Sequence, residues 1–238
     1  MAEPPVKKLN ASVPIPLSLL TFPCEWEKCE TIFKKLDDFN SHMTQHLSAY
    51  FNEITEPLTD DTVFVCHWRE CGSQVVGSYL DFLRHAYFHV FHVKIKSIGS
   101  YLINKTGTRG CLLDNSSRNL IPELPERLLC GWKHCESVYD NPEHFYRHVD
   151  NHAEGFSDGR KALCPCQWEG CESIIKSKSK MKEHLRSHSQ EKIVACPTCG
   201  GLFANRTKLL DHLKRQEEAV CECLVLLLVD PSYSSVGY

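Results

Sequence analysis

The 238-residue sequence predicts small zinc-stabilised ββα modules in tandem, on three observations. A hexapeptide of pattern C-x-W-x-x-C occurs four times, as CEWEKC (24–29), CHWREC (66–71), CGWKHC (130–135) and CQWEGC (166–171). Behind each, at a nearly constant distance, stand two histidines four positions apart. The chain also holds 14 cysteines and 13 histidines, a usage that closely spaced metal ligands explain and an ordinary globular core does not.

The units read Cys24-x4-Cys29-x12-His42-x3-His46, Cys66-x4-Cys71-x13-His85-x3-His89, Cys130-x4-Cys135-x12-His148-x3-His152 and Cys166-x4-Cys171-x12-His184-x3-His188. This is the Cys2His2 zinc-finger spacing. Two cysteines at the mouth of a β-hairpin aim at one point. Histidines four apart share one helix face, so their imidazoles converge on that point. Phe33, Val75, Tyr139 and Ile175, four after the second cysteine, face Phe39, Phe82, Phe145 and Met181, three before the first histidine. A core of two side chains cannot offset the ordering entropy alone, and the metal supplies the remainder. A secreted disulfide framework would leave the periodic histidines unexplained.

A fifth unit begins as Cys196-x2-Cys199-x12-His212, with Phe203 and Leu209 at its core positions. Gln216 stands where its second histidine belongs, so Cys221 or Cys223 is a candidate closing ligand. His67, His134 and His144 lie off the ligand positions and read as surface residues. His92 is a possible substitute for His89, Cys164 a possible alternate for Cys166, and Cys111 reads as a small buried residue.

The segments between fingers are unequal: 19 residues follow His46, 40 follow His89, 13 follow His152 and seven, SQEKIVA, follow His188. Only the last resembles the TGEKP-type linker that spaces fingers along a major groove. The insert 90–129 begins FHVKIKSIGSYLI, which could prolong the finger 2 helix, and Pro122 and Pro125 give it an extended exit. Residues 1–20 and 217–238 are expected to be disordered, with finger 5 spanning 196–216. Pro14 and Pro16 interrupt the apolar run after Lys7 and Lys8, arguing against a signal peptide. No segment approaches the ~20 apolar residues of a membrane span, and nothing points to a small-molecule substrate.

Net charge is −3 but unevenly placed: +7 over 160–215 and −6 over 1–159. The basic end suits double-stranded DNA. Base-reading positions lie seven, four and one before the first histidine. They are Asn141, His144 and Arg147 in finger 3, Ser177, Lys180 and Glu183 in finger 4, and Asn205, Lys208 and Asp211 in finger 5. Lysine suits guanine, asparagine adenine, and carboxylate cytosine, so a G/C-containing site is expected. Lys176, Lys178, Lys182, Arg186, Arg206, Lys214 and Arg215 are candidate phosphate contacts. Lys35, Asp38 and Ser41 of finger 1 and Ser78, Asp81 and Arg84 of finger 2 lie in acidic surroundings and suit phosphate poorly. Fingers 1 and 2 could instead serve an adaptor that binds protein without DNA specificity of its own. Four protein ligands per ion leave no open position for catalysis.

All four tryptophans, Trp26, Trp68, Trp132 and Trp168, lie in the repeated hexapeptides. Trp26 is expected to pack with the finger 2 hairpin near Trp68, and Trp132 with Trp168. The alternative is that each ring only covers its own zinc thiolates. Trp-bearing fingers of the GLI and ZIC families, which these resemble, pair in the first way.

The runs RNLIPELPERLLCGWKHCESVYDNPEHFYRHVDNH and KMKEHLRSHSQEKIVACPTCGGLFANRTKLLDHLKRQ, with LRHAYFHVFHVKIK, resemble the histone nuclear factor P family of histone H4 transcription factors, over roughly residues 20–216. That resemblance implies a nuclear activator at the G1/S transition that binds a G/C-rich histone H4 promoter element. It also implies a methyl-CpG-binding protein and a histone-gene coactivator as partners. The match stops after Gln216, where the family continues with further fingers, so a C-terminally truncated or spliced form is expected.

Overall fold

A computed structural model describes residues 15–59, 61–125, 127–156 and 163–229, with the side chains of 218–229 excepted. Among the described residues, five antiparallel hairpins are each followed by a helix. Finger 1 comprises β1 (Phe22–Pro23), β2 (Ile32–Phe33) and α1 (Leu36–Asn52). Finger 2 has β3 (Val63–Val65), β4 (Gln74–Val76) and α2 (Tyr79–Thr106). Finger 3 has β5 (Leu128–Leu129), β6 (Val138–Tyr139) and α3 (Pro142–Asn151). Fingers 4 and 5 follow as β7 (Cys164–Pro165), β8 (Ile174–Ile175) and α4 (Lys178–Ser189), then β9 (Val194–Ala195), β10 (Leu202–Phe203) and α5 (Arg206–Val229).

The expected core positions are filled. Phe39, Phe82, Phe145, Met181 and Leu209 are buried, each under its own hairpin. The fingers are not independent beads, however, because α2 is a spine of 28 residues, about 42 Å long. A reciprocal Ser78–Asp81 capping box starts it, and Gly107, at φ +67°, ends it in the left-handed conformation. Apolar residues surround it on every side, as befits a helix buried all round. Phe82, Val90 and Val93 pack into fingers 1 and 2, whereas Phe88, Phe91 and Ile95 meet Tyr146 of finger 3 and Ala195 of finger 5. Farther along, Leu102 joins Val194, Leu209 and Leu213 in the core of finger 5.

Gly99 makes that docking possible. A Cβ there would collide with the carbonyl oxygen of Ala195, so only glycine lets β9 lie against the helix. Finger 5 therefore rests on α2, and the SQEKIVA segment does not act as a free spacer.

Within the described residues, parts of the two ends expected to be disordered, 15–20 and 217–229, carry regular structure. Ile15 packs against the finger 1 core and Leu20 is buried in it, while Leu17–Leu19 form an exposed 3-10 turn between these two anchors. At the other end α5 carries the helix through 217–229, where three glutamates and four leucines are good helix formers and no proline or glycine intervenes. Residues 1–14 and 230–238 lie outside the described residues.

Candidate metal centres and nucleic-acid interface

In each of the first four fingers the hairpin presents two thiols and the helix two imidazoles, whose ligand atoms lie within 4.8 Å of one another. Cysteine Sγ to histidine Nε2 separations are 3.7 and 3.3 Å in finger 1, 3.4 and 3.4 Å in finger 2, 3.3 and 3.2 Å in finger 3, and 3.7 and 3.4 Å in finger 4. The paired Nε2 atoms are 3.0 Å apart in finger 1, 3.2 Å in finger 3 and 3.1 Å in finger 4. Zn–S and Zn–N bonds of about 2.3 and 2.05 Å imply tetrahedral edges of about 3.5 Å for S···N and about 3.3 Å for N···N. The donor sets thus fit a tetrahedral ion, and four protein ligands complete its shell.

The electrostatics suit ligation. Burial holds His42, His46, His148, His152 and His188 below the ordinary imidazole value and takes His89 to about 4, so these rings are neutral and keep a lone pair for metal. Burial pushes the Cys24 thiol up to about 12 and Cys130 to about 11. A cation is what would deprotonate them. In finger 4 the Ser173 hydroxyl and amide draw Cys171 downward.

A fifth cluster joins Cys196, Cys199 and His212 to Cys111, whose place in the sequence predicts only a small buried residue. After α2 ends at Gly107, the chain doubles back over finger 5 and brings the Cys111 Sγ to 3.5 Å from His212 Nε2, with Cys199 Sγ at 3.7 Å. Cys221 and Cys223, the expected closing candidates, have side chains outside the described residues. His92 is not a substitute ligand: its Nε2 meets the carbonyl oxygen of Gly200 at 2.9 Å, while His89 completes finger 2. Cys164 is buried in β7, and Cys166 occupies the finger 4 cluster.

The tryptophans sit where fingers meet. Trp26 forms an isolated antiparallel bridge to Trp68, and Trp132 one to Trp168. Flanking amides complete each bridge, Glu27 N to His67 O and Arg69 N to Glu25 O at 2.8 Å, then Lys133 N to Gln167 O at 2.8 Å and Glu169 N to Gly131 O at 2.7 Å. The indoles themselves stack on ligand histidines of their own fingers: Trp68 on His89 and Trp132 on His152 at 4.8 Å, Trp168 on His188 at 5.1 Å, Trp26 on His46 at 5.7 Å. Cross-finger contact comes from Phe39 against Trp68, from His67 against Trp26, and from Gly131, where a Cβ would come within 2.7 Å of the Trp168 ring. Backbone pairing and coverage of the metal ligands thus occur together.

The helix positions chosen for base reading divide into two groups. Lys180 and Glu183 of α4 are exposed and paired at 2.6 Å, and Asn205, Lys208 and Asp211 of finger 5 are exposed. Ser177 and Asn205 accept from the amides of Lys180 and Lys208, capping their helices. In finger 3 Arg147 is exposed and His144 half-buried, but Asn141 is buried. Its Oδ1 caps α3 and its Nδ2 donates to Asn40 Oδ1 of finger 1 at 2.8 Å, so it faces protein where the spacing had assigned it a base. Arg84 of finger 2 is likewise buried, between Asp81 and Asp140. Among the candidate phosphate contacts, Lys178 and Lys182 bind Glu154 in the 3-10 turn (His152–Gly155) that follows α3, and Arg186 binds Glu191 at 3.1 Å.

The histone H4 transcription factor of Homo sapiens is 44% identical over 207 residues, covering 81% of this chain and 40% of that protein. Its Bos taurus counterpart is 44% identical over 205 residues, covering 81% and 39%. The chain is a relative of the histone H4 transcription factors. It spans about two-fifths of the length of these histone H4 transcription factors, 40% and 39% respectively. No family model matches the chain. The repeated Cys/His clusters, each on a hairpin followed by a helix, make it a chain of zinc-finger-like repeats whose side chains could hold metal ions.

Proposed function

We propose that the chain is a zinc-dependent, nuclear, sequence-specific DNA-binding regulator of transcription, which reads G/C-containing duplex through fingers 4 and 5 with Arg147 of finger 3 beside them. The observation that carries this reading is the exposed set Lys180, Glu183, Asn205, Lys208 and Asp211, which stands at base-reading spacing in the region of net charge +7. The name of its relatives supports the same reading. Histone H4 promoter DNA is the natural first target, and a methyl-CpG-binding protein and a histone-gene coactivator are the protein partners to try. Zinc is the proposed ion because two thiolates and two imidazoles at tetrahedral spacing suit it best.

The test is binding of the zinc-loaded full chain to G/C-rich and A/T-rich duplexes across a salt series. Affinity should fall steeply with salt, favour the G/C-rich duplex and vanish with chelator. A flat salt slope, or equal affinity for both duplexes, would overturn sequence-specific binding. The second reading, a protein-binding adaptor, draws on finger 1, whose helix exposes Asp37 and Asp38, and on finger 2, whose Arg84 is buried.

A further inference from the structure

We propose that Cys111 is the fourth ligand of a Cys3His zinc centre in finger 5, so that one ion fastens the interfinger insert to a finger far along the chain. The proposal rests on reading the Cys/His clusters as zinc sites and adds a ligand that the repeat does not encode. Cys111 and His212 are 101 positions apart, yet Sγ and Nε2 stand at 3.5 Å, the S···N edge of a zinc tetrahedron. With Cys196 and Cys199 they form a set whose ligand atoms all lie within 4.8 Å of one another, as in the four regular fingers.

Gln216 strengthens the assignment. It occupies the place of the missing histidine at the edge of the cluster, where its amide nitrogen, 3.2 Å from His212 Nε2, would give up that lone pair to the ion. Its Oε1 accepts from the backbone amide of Leu112, next to Cys111, at 2.7 Å. The side chain that replaced the local ligand therefore holds the remote ligand in place. The insert is seated on the same zinc knuckle at two further points. Ser117 Oγ donates to the Cys199 carbonyl at 3.2 Å. Gly200, at φ +75°, lacks the Cβ that would strike the Arg118 carbonyl. Both contacts are independent of any metal. Cross-linking so long a loop removes much of the freedom of the unfolded chain. The ion would thus stabilise the insert, α2 and finger 5 together.

Zinc content of the full chain decides the matter, counted with a metallochromic indicator after chelator is removed and zinc restored. Wild type should hold five equivalents, one for each cluster. Cys111→Ser should hold four, and Cys221→Ser with Cys223→Ser should still hold five. Cys111→Ser combined with Gln216→His supplies a local fourth ligand and should regain the fifth equivalent, with the insert amides exchanging hydrogen faster than in wild type. That double variant also guards against simple misfolding of the single one. If Cys111→Ser keeps five equivalents with wild-type release kinetics, or if the Cys221/Cys223 variant loses one, the assignment is overturned while the zinc reading stands. If wild type holds no zinc, both fall.

Discussion

His92, midway along α2, and Gly200, in the knuckle of finger 5, are joined by a hydrogen bond of 2.9 Å from ring nitrogen to carbonyl oxygen. The ring is almost fully buried, and burial holds it neutral, at about 3. A neutral imidazole with Nε2 protonated donates here, so a residue that resembled a spare metal ligand instead seats one finger on another. His92→Ala removes that donor and leaves the Gly200 carbonyl buried without its partner, at a cost of about 1–3 kcal/mol. Hydrogen exchange of finger 5 amides should quicken while that of finger 4 stays unchanged. Equal protection in both proteins would count against the seat.

Gly99→Ala should act at the same contact from the other side. The added methyl meets the Ala195 carbonyl, which is backbone and cannot swing aside. Overpacking of this kind costs about 1–3 kcal/mol. Gly155→Ala, whose Cβ meets nothing within 4 Å, is the control and should be nearly neutral. Thermal melts of the two zinc-loaded proteins would settle the comparison.

Trp68→Ala should be the most damaging change in the paired fingers. The ring is 2% exposed, stacks on His89 and touches Phe39 of the neighbouring finger. A loss of about 3–5 kcal/mol is expected from the cavity, read by denaturant unfolding with zinc in excess. A loss under about 1 kcal/mol, the scale of an ordinary surface change, would mean that the indole is ornamental.

Asn141→Ala and Lys180→Ala should separate stability from DNA binding. Asn141 loses a helix cap and the bond to Asn40, worth about 1–2 kcal/mol of folding, with DNA affinity retained. Lys180→Ala should leave the melt unaltered and weaken binding to G/C-rich duplex about tenfold, the effect of one lost base contact of about 1.4 kcal/mol. Were Asn141→Ala instead to abolish base preference with folding intact, the assignment of Asn141 to the protein interior would be wrong.

Glu191 gives a pH signature. Burial raises its carboxyl from 4.5 to about 7, even with Arg186 beside it. The folded chain therefore binds more protons than the unfolded one between those values, and stability from this group falls as pH rises through them. Glu191→Gln carries no such penalty, so its melting temperature relative to wild type should rise from about pH 6 to about pH 8. A difference that shrinks over that interval would show the carboxylate to be well solvated.

Much of this architecture was readable from residue spacing, and the exceptions share a cause. The sixteen candidate ligands of fingers 1–4 are local: hairpin and helix lie within one repeat, so x4, x12 or x13, and x3 determine where each side chain goes. The long α2 was foreshadowed by FHVKIKSIGSYLI, which has no proline to stop it. Cys111 was misread because its partner His212 lies 101 positions away, in another finger, and no periodicity relates the two. Asn141 was misread for the same reason, since Asn40 is also 101 positions distant. The available signal for Cys111 was a pair of oddities, a finger short of one ligand and a spare cysteine in a long insert.

The seat of finger 5 on α2 changes how such a chain is to be dissected. Finger arrays are commonly divided at their linkers, as though each piece kept its own properties. Here, any cut between fingers 2 and 3 would part Ala195 and Val194 from the helix residues Ile95 and Leu102 that they pack on. A C-terminal fragment would then carry exposed apolar surface and a loosened fifth finger. Its failure to bind DNA would report on the scissors rather than on the protein.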